Sequence, residues 1–354
     1  MRDQQIPSKV RVRRELSADA LYETVRRRFQ RIADQRSEGA EISLADALMS
    51  GFAMFSLKDP SLLLFDERRK GDAHNLMQIY GIERVPCDTQ MRKILDGVLS
   101  EAIRPPFRAV FGKIQRGKAL EPMVFLDGYY LLNLDGTQYF SSEKLHSEFC
   151  LERTSSKTGK TTYYLQMLGA AIVHPDFKEV IPLCPEPIIK QDGQTKNDCE
   201  RNAAKRFFEK LRKEHPHLKL IVNEDALSPN APHIRDLRKH DLRFILGVKP
   251  GDHEFLFNEI EKAAEENRTT EFVMEDPKDP KIAHYFRFLN GVPLNESNRD
   301  ILVNVLQYWE LKGDEEVHPY SWVTDFTITR DNAFTLMRGG RARWKIENET
   351  FHTS

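Results

Sequence analysis

Three acidic residues in constrained settings, Asp135, Asp225 and Glu347, are the side chains of this sequence best suited to do chemistry together. Asp135 ends the apolar run Leu131-Leu132-Asn133-Leu134 and precedes Gly136, where the backbone can turn and approach a ligand closely. Asp225 follows a second apolar run, Leu218 to Val222, across Asn223-Glu224. Glu347 belongs to a helical stretch near the end of the chain, with Arg343 as its i, i+4 neighbour, so the two project together. One carboxylate does little alone. Three held together make an all-oxygen site for a hard divalent cation, Mg²⁺ first and Mn²⁺ as its substitute. From spacing alone, Arg343 with Glu347 reads as an ordinary surface ion pair worth roughly a few tenths of a kcal/mol.

The elements that must carry these acids can be read from the apolar periods. Strand-like runs at Met123 to Leu126, Tyr129 to Leu134, Glu148 to Arg153, Thr161 to Val173 and Glu179 to Leu183 predict a mostly antiparallel meander, ended by Pro182, Pro185 and Pro187. Asn197 to Glu214 predicts a helix with Ala203, Phe207, Phe208 and Leu211 on its apolar side, and Asp198 and Glu200 in its first turn suit the helix dipole. A strand at Leu218 to Val222, a helix at Asn230 to Lys239 and a strand at Phe244 to Val248 follow. The order is that of an α/β (α+β) core with a mixed sheet and flanking helices. Residues 251 to 325 interrupt it with acidic, turn-rich sequence and strand-like runs at Ala283 to Leu289, Ile301 to Trp309 and Ser321 to Ile328, which predict an inserted, mainly β subdomain. Asp331 can then cap a helix through Leu336 and Met337. Gly339-Gly340 breaks it, and a second helix covers Arg341 to Phe351.

Ahead of the core, residues 1 to 115 predict a small helical domain. Ser17 can cap a helix through Val25, Phe29 and Ile32 with Arg26, Arg27, Arg28 and Arg31 between them. Further helices start near Ser43, with Leu44, Leu48, Phe52 and Phe55 at helical spacing, and at Thr89, running to Leu99 before Pro105-Pro106. The net charge of -1 conceals a segregation: residues 1 to 40 hold 10 Lys+Arg against 6 Asp+Glu, and residues 251 to 317 hold 7 against 16, so basic and acidic surfaces are expected to be separate.

Composition closes several other routes. No G-x-G-x-x-G or G-x-x-x-x-G-K-[ST] loop occurs, which sets aside dinucleotide and ATP chemistry. Cys87, Cys150, Cys184 and Cys199 lack C-x-x-C spacing, against a zinc ribbon or a disulfide framework and in keeping with a reducing cytoplasm. His146, His174, His233, His240 and His253 have no helical metal-ligand spacing and take no catalytic role. The most apolar window, Leu48 to Phe65, is interrupted by Lys58 and Asp59 and is too short to span a bilayer.

With these residues in order, the chain resembles a DDE transposase of a bacterial insertion sequence, of the subgroup whose ribonuclease-H-like core is split by a β-rich insertion before the glutamate. The matching stretches are Leu134-Asp135-Gly136-Thr137, Val222-Asn223-Glu224-Asp225-Ala226-Leu227 and Arg343-Trp344-Lys345-Ile346-Glu347-Asn348, and the likeness spans about residues 40 to 352. The resemblance implies a core of residues 120 to 250 and 326 to 354. It makes Asp135, Asp225 and Glu347 the catalytic acids, with Asp135 bridging a pair of Mg²⁺ ions, and it makes Arg343, with Lys345 the weaker candidate, a contact to DNA phosphate. Its implied partners are double-stranded DNA, as terminal inverted repeats and target, and a second copy in a homodimer on DNA. Of the subgroup's Tyr-x2-Arg-x3-Glu-x6-Lys signature the chain keeps Arg343 and Glu347, with Gly340 at the Tyr position and its last residue, Ser354, at the Lys position. That departure implies a copy truncated at its C-terminus. Two neighbouring expectations follow, a nuclease of the same core that cleaves without joining, and a non-catalytic remnant that occupies element ends. Trp309 and Trp322 fall in the insertion, where some relatives stack a flipped base, but core packing is the stronger reading of both.

Overall fold

Helix caps written into the sequence set the first part of the fold. In the computed structural model, which describes residues 14–36, 39–190, 199–226, 228–277, 279, 281–312 and 315–351, Ser17 accepts a hydrogen bond from Ala20 N ahead of α1 (Ala18–Phe29), and Ser43 from Asp46 N ahead of α2 (Leu44–Ser56). The described residues divide into two compact units between Pro122 and Met123. The first adds α3 (Leu62–Tyr80), α4 (Asp88–Leu95) and α5 (Arg104–Arg116). Two of these helices are unexpected. The residues of α3 are mixed around the whole helix, so no apolar stripe marks it, yet Ser61 caps its start and Gly81, at φ 68°, ends it in the left-handed conformation. Pro105 and Pro106 open α5 instead of closing a segment, because the first turn needs no N–H donors. Val25, Phe29, Leu48, Met49, Phe65, Leu76, Tyr80 and Met91 form this unit's core, whereas Phe55 is left 75% exposed.

The second unit is mixed α/β around one large mixed sheet. Its strands are β1 (Val124–Leu126), β2 (Tyr129–Ser142), β3 (Leu151–Thr154), β4 (Thr161–Val173), β5 (Ile181–Pro182), β6 (Glu186–Ile188), β7 (Leu220–Glu224), β8 (Arg243–Gly247), β9 (Thr270–Glu275), β10 (Ile282–Pro293), β11 (Leu302–Lys312) and β12 (Glu315–Thr324). The order across the sheet is β3-β4-β2-β7-β8-β12-β11-β10-β9. β2 runs antiparallel to β4 and parallel to β7, in register from Tyr130↔Leu220 to Asn133↔Asn223, and β7 is parallel to β8. β12 pairs antiparallel with β8, so the strands of residues 251 to 325 continue the same sheet. α6 (Glu200–Glu214) buries Ala203, Phe207, Phe208 and Leu211 as their spacing predicts, and α7 (Ala231–Lys239) buries Ile234 and Leu237. A helix the sequence reading passed over, α8 (Glu254–Glu265), buries Leu256 and Ile260. All four cysteines are free thiols, and no helix of the described residues is long and apolar enough to cross a membrane.

Three local expectations are corrected. Gly136 makes no turn: β2 continues through it to Ser142, paired opposite Leu168 of β4, so Asp135 lies within a strand and not at its end. Gly339 and Gly340 do not break the last helix. They lie inside α9 (Ala333–Arg341), which presses on aromatic rings, and a Cβ would stand 2.7 Å from Phe125 Cζ at the first glycine and 2.3 Å from Trp322 Nε1 at the second. Asn332, not Asp331, precedes that helix, exchanging hydrogen bonds with Thr329. Residues 1–13 of the basic segment, Asn197 and Asp198 at the expected helix start, Leu227 and Ser354 lie outside the described residues.

Candidate acidic site

The parallel register of β2 and β7 sets Asn133 beside Asn223, and two residues further along lie Asp135 and Asp225, the latter just past the end of β7. Since side chains alternate along a strand, Asn133 and Asp135 share a face. That face is covered by the end of the chain. After α9 the helical winding tightens to a 3₁₀ turn at Ala342–Trp344 and loosens to a π turn at Glu347–Phe351. Ala342 and Ile346 sink into the core with Leu131, Ile221 and Ile245, at 3% and 0% exposure, which leaves Arg343 and Glu347, each one position further round, at the rim of that core.

There the acids meet. Arg343 Nη1 donates to Asp135 Oδ2 at 3.1 Å and lies 2.8 Å from Glu347 Oε1, as the i, i+4 spacing predicts for the second pair. The Asp135 pKa is raised to about 7. Burial is the main cause. Arg343 opposes it, and the hydrogen bond and charge of Glu347 and the charge of Asp225 add to it. Asp225 is therefore within electrostatic reach of Asp135. Among the described residues no three His, Cys, Asp or Glu side chains stand in a metal-holding group, and Arg343 serves both Asp135 and Glu347 as counter-ion.

Beside these strands a cleft of about 480 Å³ is lined by Asp135, Asp225, Glu200, Glu224, Ser228 and His233, among others. Glu200 reaches it because Gly136 leaves room: a Cβ at Gly136 would stand 2.1 Å from Glu200 Oε1. The close approach expected at Gly136 is thus made by a side chain of this chain. A role for Glu200 at the helix dipole alone understates it, because partial burial, then the charges of Asp225 and Glu224, raise its pKa, the opposite of what a helix N-terminus does. Glu224 and His233 form a buried pair, His233 Nε2 to Glu224 Oε2 2.6 Å. Burial opposes the imidazolium there, but the Glu224 charge and hydrogen bond outweigh it and the His233 pKa is raised.

Lys345 is not brought to the acids. Its side chain is buried, at 7% exposure for the residue, and Nζ donates to Phe177 O at 2.7 Å. Trp322 is a core residue against Gly340, and Trp309 packs on Tyr285 with ring centroids 5.1 Å apart. The residues missed by the sequence reading are Asn133, Asn223 and Glu200. The signal for the first two was available, since an amide stands two residues before an acid in both apolar runs.

Chemically, carboxylates crowded where β7 ends beside β2, next to the Arg343 guanidinium, form an anionic, all-oxygen surface that attracts cations, and Arg343 is placed to exchange its carboxylate partners for a phosphate. No protein-family model matches the sequence, and no curated protein matches it.

Proposed function

We propose that this chain is a metal-dependent DNA phosphoryl transferase of the DDE transposase kind, cutting DNA at the ends of an insertion element and joining them to target DNA. The observation that carries the reading is the meeting of Asp135 with Arg343 and Glu347, the first pair 208 residues apart in sequence, within electrostatic reach of Asp225 just past the end of β7. A sheet that passes from an antiparallel meander through two parallel strands, with helices between them, supports a ribonuclease-H-like core.

The residues present fit Mg²⁺ in kind. All donors are carboxylate oxygens, and their mutual repulsion, which helps hold the Asp135 pKa near 7, is what a bound cation relieves. When bound, Mg²⁺ would polarise the scissile phosphate and activate water or a 3′-hydroxyl. Asp135, Asp225 and Glu347 would hold it. Arg343 brings a planar fork of donors suited to bidentate contact with a DNA phosphate. A homodimer pairing two element ends belongs to the same proposal.

The test is cleavage of double-stranded DNA taken from the flanks of the coding sequence, with Mg²⁺ or Mn²⁺, by the full chain and by Asp135→Asn, Asp225→Asn and Glu347→Gln. Each substitution is expected to lower cleavage by a factor of a hundred or more while DNA binding persists. Metal-dependent cleavage that survives all three overturns the assignment. Nicked ends without joined product point to a nuclease, and binding without cleavage by the unaltered chain points to an end-binding protein.

A further inference from the structure

We propose that Asn133 and Asn223 are positioning residues that seat the Arg343–Glu347 segment over Asp135 and Asp225. This rests on the reading of those four residues as one site. Both amides are fully buried, at 0% exposure, in the centre of the sheet, on adjacent strands in register. Central strands covered on both faces are normally apolar throughout, and a buried amide is costly unless its hydrogen bonds are met. Here the bonds run to one place. Asn133 Nδ2 donates to Ala342 O at 2.8 Å and to Arg343 O at 3.1 Å, while Asn223 Nδ2 donates to Gly339 O at 2.9 Å and to Asn133 Oδ1 at 3.0 Å.

The three carbonyls belong to the turn where α9 changes pitch, so the pair grips the backbone at its least regular point. Fixing the carbonyl of Arg343 fixes the direction of its side chain, and Glu347 follows one turn later. The grip is not free of strain. Asn223 Oδ1 is buried without a hydrogen-bond partner, a cost that two apolar residues would avoid. Packing of Ala342 and Ile346 would hold the helix on the sheet by itself, but apolar contact is non-directional and leaves rotation and slip of the segment open. The amides remove that freedom, and their repeated position two residues before each acid ties the third acid to the first two.

The experiment compares the full chain with Asn133→Leu and Asn223→Leu by amide hydrogen exchange, by Mn²⁺ binding and by DNA cleavage. Expected are exchange at least tenfold faster in peptides covering 339–347 with strand 302–311 unchanged, Mn²⁺ bound at least tenfold more weakly, and kcat for cleavage lowered with KM for DNA within about twofold. Should the leucine variants not fold, Asn133→Asp keeps the shape and the bond from Asn223 but removes both donors to the turn, and the same exchange contrast is expected. Unchanged exchange at 339–347, or faster exchange spread evenly over the sheet, overturns the proposal. If the unaltered chain neither binds Mn²⁺ nor cuts DNA, the functional reading fails while the exchange contrast still decides whether the pair seats the segment.

Discussion

The Arg343 guanidinium donates to the Asp135 carboxylate at 3.1 Å, and the same nitrogen lies 2.8 Å from Glu347, so one cation of the chain serves as counter-ion to two of the three candidate acids. Removing it leaves two half-buried carboxylates facing each other. Arg343→Ala is expected to lose on the order of 1–3 kcal/mol at pH 8, because the acids are then left without their partner. Millimolar Mg²⁺ is expected to return more of that loss to the variant than it adds to the unaltered chain. Thermal unfolding with and without Mg²⁺ measures both, and equal Mg²⁺ effects in the two proteins would rule out this counter-ion role.

Asp135 also makes stability depend on pH with a defined sign. Its pKa is raised from 3.8 to about 7 in the folded chain, so the native state binds the proton more tightly than the unfolded state. Its contribution is fully present below about pH 4 and is lost as pH rises through 7. Asp135→Asn removes this dependence. In chelator, the variant is expected to gain on the unaltered chain between pH 4.5 and 8, by on the order of 3 kcal/mol at the upper end. Urea midpoints at matched pH test this, and a constant difference across the range refutes it.

Two glycines with equally short virtual contacts are expected to respond oppositely. At Gly340 the obstacle is the ring of Trp322, which is 5% exposed within the core, so Gly340→Ala must displace packed aromatic surface and is expected to cost about 2–4 kcal/mol. At Gly136 the obstacle is the far end of the Glu200 side chain, which can swing away. Gly136→Ala is expected to change stability by less than about 1 kcal/mol. Chemical denaturation of the two variants separates them.

Sequence reading reached the elements whose signals are local. The Ser17 cap, the helix start near Ser43, the apolar face of α6 and the long strand Thr161–Val173 were legible because capping atoms and period are written in neighbouring residues. It missed α3, whose apolar residues are scattered around the helix, and misread Gly136 and Gly339-Gly340. Glycine reports only that a side chain is missing. Whether that serves a turn, a carboxylate or an indole depends on what the fold brings opposite. The hydrogen bond of Lys345 was illegible for the same reason, since its partner, the Phe177 carbonyl, is 168 residues away. The i, i+4 contact of Arg343 with Glu347 was foreseeable, whereas the pairing of Arg343 with Asp135 appears only in the tertiary fold.

The basic helix α1 divides into arginines that fold the chain and arginines free to meet a polyanion. Asp46 is 4% exposed and accepts from Arg26 Nη1 at 3.0 Å and from the backbone N of Glu83 and Arg84 at 3.3 Å each, so it ties α1 and the loop after α3 to α2. Arg26 is therefore committed to the interior of the helical unit. Asp46→Ala unpairs a guanidinium and two backbone donors at once and is expected to cost about 3 kcal/mol, and Arg26→Ala a similar amount by stranding the buried carboxylate. Arg27 is different: its side chain is 61% exposed and, among the described residues, pairs with Glu23 one turn away, a contact of small worth. Arg27→Ala should leave the unfolding midpoint within measurement error. If α1 meets the DNA backbone, the same change should weaken DNA binding at all sequences alike and reduce the salt dependence by about one phosphate contact. Binding titrations at several salt concentrations, run beside unfolding curves, decide between a helix that grips DNA and one that only packs: an unchanged salt slope in Arg27→Ala and Arg28→Ala leaves α1 a structural element.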